Sequence, residues 1–216
     1  MTPAREQKTK KRRGARAVIL DVAERLFAEH GLNSVSLRTI NTEAGYSVAA
    51  LHYHFRTRDA LIRALLERRV APLLRSRSRL VDELTGDNEP DVYAIARALV
   101  LPMAQPIIEN RVEGLYAVKF LFQVYRDPSF QLQVAYVVEH SHEVFGELLA
   151  KALPMLDRNI LMERWTIATD LTFQGLAGVE RLPEEHSPER LVTRLIEFIA
   201  GGLASPVYDR GVDRLP

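Results

Sequence analysis

The chain has no cysteine at all, so a disulfide framework and thiolate metal or redox sites are excluded. Aromatic residues are only 7% of 216, and there is a single tryptophan. No stretch alternates apolar and polar residues for long, which argues against a sheet. No uninterrupted apolar run approaches the roughly 18 residues of a membrane helix, and the charged N-terminus has no apolar core of the kind a signal peptide needs. A cytoplasmic protein without membrane association is expected. What the chain does have is an ordinary globular composition, 47% hydrophobic and 26% charged, sufficient to bury a real core.

The net charge of +1 conceals a strong asymmetry. Residues 1–80 hold 17 Lys and Arg against 7 Asp and Glu, net +10, while residues 81–216 hold 12 against 21, net −9. A polyanion-facing part joined to a part with another task is the implication.

Residues 1–14, "MTPAREQKTKKRRG", carry six basic residues and little apolar surface, and predict a flexible basic arm. Val18, Ile19, Val22, Leu26 and Phe27 then recur at helical spacing up to Gly31, a C-terminal stop. Ser36, Ser47 and Thr57 each stand where an N-cap opens a new helix: a very short one closed by Gly45, a second in which Leu51 and Phe55 face inward, and a long one to about Leu84. The break "TGDNEPD" follows, and further helices are expected at 91–109, 112–126, 129–152, 158–181 and 188–204, with Pro102 and Pro106 interrupting the first of these. The fold class is therefore all-α, with a basic arm (1–14), a helix-turn-helix unit (15–57) and a larger helical part (58–216).

"AGYSVAALHYHFRTRDAL", residues 44–61, concentrates polar side chains. His52 and His54, two apart, stand about 200° apart around a helix and do not chelate one metal. No hydroxyl or carboxylate nearby makes a base–nucleophile pair with them. Two short helices joined by a tight glycine turn instead make a helix-turn-helix, whose second helix enters the major groove of DNA. Val48, Ala49, Ala50, His52 and Tyr53 point outward from it. Small side chains there suit close approach to base edges, and His52 and Tyr53 suit phosphates or bases.

These residues carry a family likeness. "AERLFAEHGLNSVSLRTINTEAGYSVAALHYHFRTRDAL" resembles the N-terminal signature of TetR-type regulators, with A-x-x-L-F-x-x-x-G, a Ser-initiated helix containing Ile, A-G-x-S, L-x-x-H-F and a Thr–basic–x-x-Leu opening. It departs at Leu32, Asn41, Tyr46 and His52, which bears on the operator read. The resemblance implies DNA contacts from Arg38 on the crossing helix, from Ser47, Val48, Ala49, Ala50 and His52 at the groove, and from Tyr53, His54 and Arg58 to phosphates. Lys8, Lys10, Lys11, Arg12 and Arg13 of the arm track phosphates or enter the minor groove, or only add charge. The resemblance further implies a regulatory domain that encloses a ligand and pairs with a second subunit through its last two long helices.

In helix 188–204, Leu191, Leu195 and Ile199 form one stripe and Val192, Ile196 and Leu203 widen it, more apolar surface than one neighbour covers. A homodimer interface would use that surplus. Met103, Tyr116, Phe120, Phe122, Tyr136, Trp165 and Phe173 are the candidate pocket residues, and few charges intrude among them, favouring a small apolar or amphipathic effector. "LHYHF", "LIRALLERRVAPLL" and "KALPML" also resemble a fatty-acid-responsive branch of the family. His140 and His142 with Glu139, Glu143 and Glu147 read as a solvated acidic face, since only two ligands share a side. No metal, cofactor or catalytic residue is expected. The leading expectation is a ligand-responsive transcription regulator, most simply a repressor, that binds a palindromic double-stranded DNA operator. The alternatives are an α-helical enzyme or lipid carrier with a vestigial DNA unit, and an effector-independent DNA-binding protein.

Overall fold

The computed structural model describes residues 3–85, 90–181, 183 and 187–207, and the side chains of these except at 3–13, 48, 131–134 and 136–138. Among the described residues there are nine α-helices and no strand: α1 (Pro3–His30), α2 (Leu37–Ala44), α3 (Val48–His54), α4 (Arg58–Leu84), α5 (Val92–Glu109), α6 (Arg111–Arg126), α7 (Gln131–Ala152), α8 (Arg158–Ala177) and α9 (Pro188–Ala204).

Polar caps set most of the helix starts. The side chains of Ser36, Ser47, Thr57, Asp91, Asn110, Asp157 and Ser187 each accept a backbone N–H from the first turn of the helix that follows. Gly45 ends α2 in the left-handed region at φ 72, a conformation that costs other residues more, and its N–H closes onto Asn41.

Three expectations need correction. The segment expected to be an irregular arm takes helical backbone from Pro3, broken only at Gly14 (φ 69, ψ 144). The basic side chains Lys8, Lys10, Lys11, Arg12 and Arg13 lie outside the described side chains. Pro102 and Pro106 do not interrupt α5, which runs straight through both. Each proline costs one backbone hydrogen bond, and the burial of Ile95, Leu99, Met103 and Ile107 along that helix offsets the loss. By length and composition α5 is also apolar enough to cross a membrane, though 50% of that window is buried in the fold. Lastly, Val192, Ile196, Ile199 and Leu203 of α9 are already buried within one chain, and of the expected stripe only Leu191 and Leu195 stay half-buried, so the surplus there is small.

Two cores result. One gathers α5, α7, α8 and α9 around Trp165 and Phe145. The other joins Ile19, Phe27, Ile40, Leu51 and Phe55 of α1–α3 to Leu61, Ile62 and Leu65 of α4, and to Phe120 and Val124 of α6. The anticipated division after residue 57 therefore runs through a packed core. Glu24 is buried in α1 and is held by Arg69 of α4 through two hydrogen bonds. Burial alone would lower the Arg69 pKa, but the hydrogen bond and charge of Glu24 outweigh it and raise the value.

The α5–α6 crossing is set by a glycine. A Cβ on Gly114 would lie 2.2 Å from the Pro106 carbonyl carbon and oxygen. Only a residue without a side chain lets the two helices approach so closely.

Candidate nucleic-acid interface and cavity

The second helix of the helix-turn-helix, α3, is only seven residues long, and Ser47 starts it by accepting the Ala50 N–H at 3.2 Å. Leu51 and Phe55 turn inward, 1% and 3% exposed. That anchoring leaves the other face open. Ala49 and His52 are exposed, Ala50 is half-buried, and Tyr53 is 85% exposed, an unusual position for a large aromatic. Ser47 is exposed at the helix start, and the Val48 side chain lies outside those described. His54 is half-buried, its ring 5.1 Å from Tyr53 and 6.3 Å from Phe55. Arg38 on α2 is exposed, and Thr39 beside it shares a 2.8 Å hydrogen bond with Ser36.

Arg58 behaves differently from the expectation. Its guanidinium turns inward, donates to the Leu32 carbonyl and lies 5.8 Å over the Phe27 ring. Its cation thus fastens α4 to the turn that follows α1. Arg56, two residues earlier, is exposed. The "FRTR" spelling holds both arginines, and spacing alone does not tell which one turns inward.

Leu32 is fastened from the other side as well. Gln123 of α6 accepts the Leu32 N–H at 2.9 Å and donates to the Phe27 carbonyl at 2.9 Å. The turn between α1 and α2 is thereby tied to two helices of the larger part. Nothing in the spelling "LFQVY" singles out Gln123, since a lone glutamine between apolar neighbours is ordinary on a helix face.

A cavity of about 90 Å³ lies among α4, α5, α6, α7 and α8. Met103, Trp165 and Phe173 stand on its wall together with Leu99, Leu121 and Tyr125. Phe122 stacks behind Phe173 with ring centroids 5.3 Å apart, and the Tyr136 side chain lies outside those described. Two candidates are elsewhere. Phe120 is fully buried against Phe27, 6.2 Å between centroids, in the core under the helix-turn-helix. Tyr116 borders an outer groove with Glu29 and Lys119. Four residues of α6 separate these two, so they share a face turned toward α1 instead of the cavity.

The cavity wall is not wholly apolar. Arg77 of α4 and Ser141 and His142 of α7 contribute to it, and the last of these was expected on a solvated face. Burial lowers the Arg77 pKa to about 10. Among the described residues no cluster of His, Asp and Glu is arranged to hold a metal.

On the outer side of α8, Ile167 and Leu171 stand one turn apart and are 57% and 38% exposed, and Phe198 of α9 is 67% exposed. Gly201 and Gly202, in the turn after Phe198, would meet nothing with an added Cβ, so that stretch of α9 is flat and open.

Comparison with known proteins agrees at both ends of the chain. The model for bacterial regulatory proteins of the tetR family matches residues 19–65, and that for the tetracyclin repressor-like C-terminal domain matches residues 97–202. The nicotine-responsive repressor HdnoR of Paenarthrobacter nicotinovorans is 38% identical over 96 residues, 44% of this chain and 47% of the relative. The repressor KstR2 of Rhodococcus jostii is 35% identical over 66 residues, 31% of this chain and 32% of the relative. The chain thus matches half or less of the length of these curated relatives. The crystal structure of the probable transcriptional regulatory protein RHA5900 shares the fold with a TM-score of 0.66 at 20% identity, covering 88% of this chain and 100% of that one. Two family models in the expected order, together spanning most of the sequence, and a shared helical fold lead to one assignment: the chain belongs to the TetR family of bacterial regulatory proteins.

Proposed function

We propose that the protein is a cytoplasmic, homodimeric repressor that binds a palindromic DNA operator through α3 and releases it when a small apolar or amphipathic effector enters the cavity beside Trp165. The observation that carries the reading is the open face of α3, where Tyr53 is 85% exposed beside His52 and Ala49 on a helix whose other side is locked into the core. The basic first 80 residues supply the charge a phosphate backbone attracts. Arg38, Arg56, Tyr53 and His54 are assigned to phosphates, and Ser47, Val48, Ala49, Ala50 and His52 to the groove.

Response to an effector is supported by the cavity and by what borders it. Leu121 and Tyr125 of α6 line it, and Gln123 between them holds the Leu32 N–H. A ligand pressing on α6 would therefore load the turn that orients α2 and α3. It shifts the protein only by binding the released form more tightly than the docked one. A resting volume of about 90 Å³ is well below that of an ordinary ligand pocket, so any but a very small ligand requires the surrounding helices to move apart. The responsiveness of HdnoR to nicotine, as its name states, supports ligand control in this chain without identifying the ligand.

Two copies are needed because a palindrome presents successive major grooves about 34–36 Å apart. Ile167, Leu171 and Phe198 are the apolar residues left open on α8 and α9 to join them. The test is binding of purified protein to inverted-repeat duplexes selected from random DNA, measured across a salt series. Affinity should fall steeply as salt rises, and a flat salt response with no preferred sequence would overturn the reading.

A further inference from the structure

Among the described residues that line the cavity, Arg77 carries the only permanent charge, and it is 9% exposed. Its Nη1 donates to Ser141 Oγ at 3.0 Å, while its buried Nε has no hydrogen-bond partner. No carboxylate among the described residues pairs with it. Asp82, on the outer groove that Arg77 also borders, is exposed and makes no ion pair with it. The guanidinium lies 5.8 Å over the ring of Phe145, which stacks on Trp165 with centroids 4.3 Å apart. A ring face softens the burial of a cation but does not replace a counter-ion.

A buried arginine without an acid is costly to keep, and nothing about packing requires it: methionine or leucine would fill the same space. Nε lies on the edge of the guanidinium that receives a carboxylate side-on through two parallel hydrogen bonds. Most of the remaining wall, Leu99, Met103 and Phe173 included, is apolar. One cation on an otherwise mostly apolar wall describes the complement of a particular kind of molecule.

We infer that the cavity takes a monoanionic amphiphile, a carboxylate on a compact hydrocarbon body, with its head paired to Arg77 and its body against Leu99, Met103 and Phe173. The inference rests on reading this cavity as the effector site, and is independent of whether α3 binds DNA. The small resting volume, about 90 Å³, favours a short chain or single ring over a long acyl tail.

Trp165 is the only tryptophan in the sequence and stands on the cavity wall, so its fluorescence reports occupation directly. Full-length protein would be titrated with hexanoate, hexan-1-ol and hexylamine, three probes alike in body and different in head. Hexanoate should give a saturable change with an affinity at least ~10-fold above that of the alcohol, as expected for a charge-assisted pair, and the amine should not bind. Arg77→Met, checked for native helicity and thermal stability, should lose that preference and take the alcohol at least as well as the acid. Arg77→Lys should keep part of it.

Equal affinities for acid and alcohol, unchanged hexanoate affinity in Arg77→Met, or no saturable signal from any probe would each overturn the inference. A parallel operator-binding assay separates it from the functional reading. Hexanoate that binds through Arg77 yet leaves DNA affinity untouched would sink the release mechanism and leave the anion site standing.

Discussion

The side chain of Gln123 and the backbone of Leu32 form a clamp: Gln123 Oε1 accepts the Leu32 N–H at 2.9 Å across a sequence separation of 91 residues. The same amide donates to the carbonyl of Phe27, the last aromatic of α1, so one α6 side chain holds the end of α1 and the start of the turn that follows it. Replacing Gln123 by Leu removes both bonds and strands a partly buried N–H. The expected cost is about 1–3 kcal/mol of stability, read by thermal or denaturant unfolding. Operator affinity should change little, while its dependence on a cavity ligand should fall severalfold. Full retention of ligand response would show that coupling runs elsewhere.

Arg77→Met is expected to stabilise the ligand-free protein by about 1–4 kcal/mol, because an unpaired buried cation is exchanged for hydrocarbon of similar size. The sign with pH follows from the direction of the shift. Burial lowers the Arg77 pKa to about 10, so folding disfavours its charged form. The penalty is complete at neutral pH and shrinks as pH rises beyond about 10. The stability gap between variant and native protein should therefore be widest near neutrality. A variant less stable than the native chain at pH 7 contradicts this account of Arg77.

Arg38→Ala and Arg58→Ala should part company. Arg38 is exposed, and its replacement should weaken binding to all duplexes alike and lower the salt slope by about 0.9 for each phosphate no longer neutralised. Arg58 holds the Leu32 carbonyl, so its replacement should first appear as lower thermal stability. Arg56→Ala is expected to follow Arg38. A normal melting point for Arg58→Ala, with uniformly weakened DNA binding, would restore Arg58 to the phosphate contacts.

Helix starts were the most legible feature, because a cap needs one short polar side chain at one place. Ser36, Ser47 and Thr57 each accept the N–H three residues on, as their spelling suggests. Side-chain direction was less legible. Arg58 and Arg77 sit in runs of arginine that look solvated, yet a long aliphatic stem lets the head turn inward once a carbonyl or hydroxyl waits there. Phe120 and Phe122, two apart on α6, were read together, but helical geometry sends them to different cores. Pro102 and Pro106 misled for a related reason: a local rule about breakers was overruled by burial that only the assembled helices supply.

Gly114→Ala should destabilise the fold despite alanine's better helix propensity. That preference is worth roughly 1 kcal/mol. Against it stands a methyl placed 2.2 Å from the Pro106 carbonyl group, which forces α5 and α6 apart and costs about 1–3 kcal/mol or more. Calorimetric melting would decide it, and an unchanged or higher midpoint would refute the close crossing.

Glutamate at Phe198 or Ile167 should yield a monomer by analytical ultracentrifugation, with native helicity and weakened binding to a palindrome but not to a half-site. A dimer that survives both changes would place the pairing surface elsewhere.

Because Phe120 and Val124 of α6 complete the core beneath α1–α3, the helix-turn-helix unit has no clean seam along which to be detached. Chimeras that graft residues 1–57 onto another family member's sensor would inherit a mismatched floor and lose the Gln123 clamp with it. A graft that keeps its floor should carry α6 along with α1–α3, or leave the two parts together and alter the cavity in place.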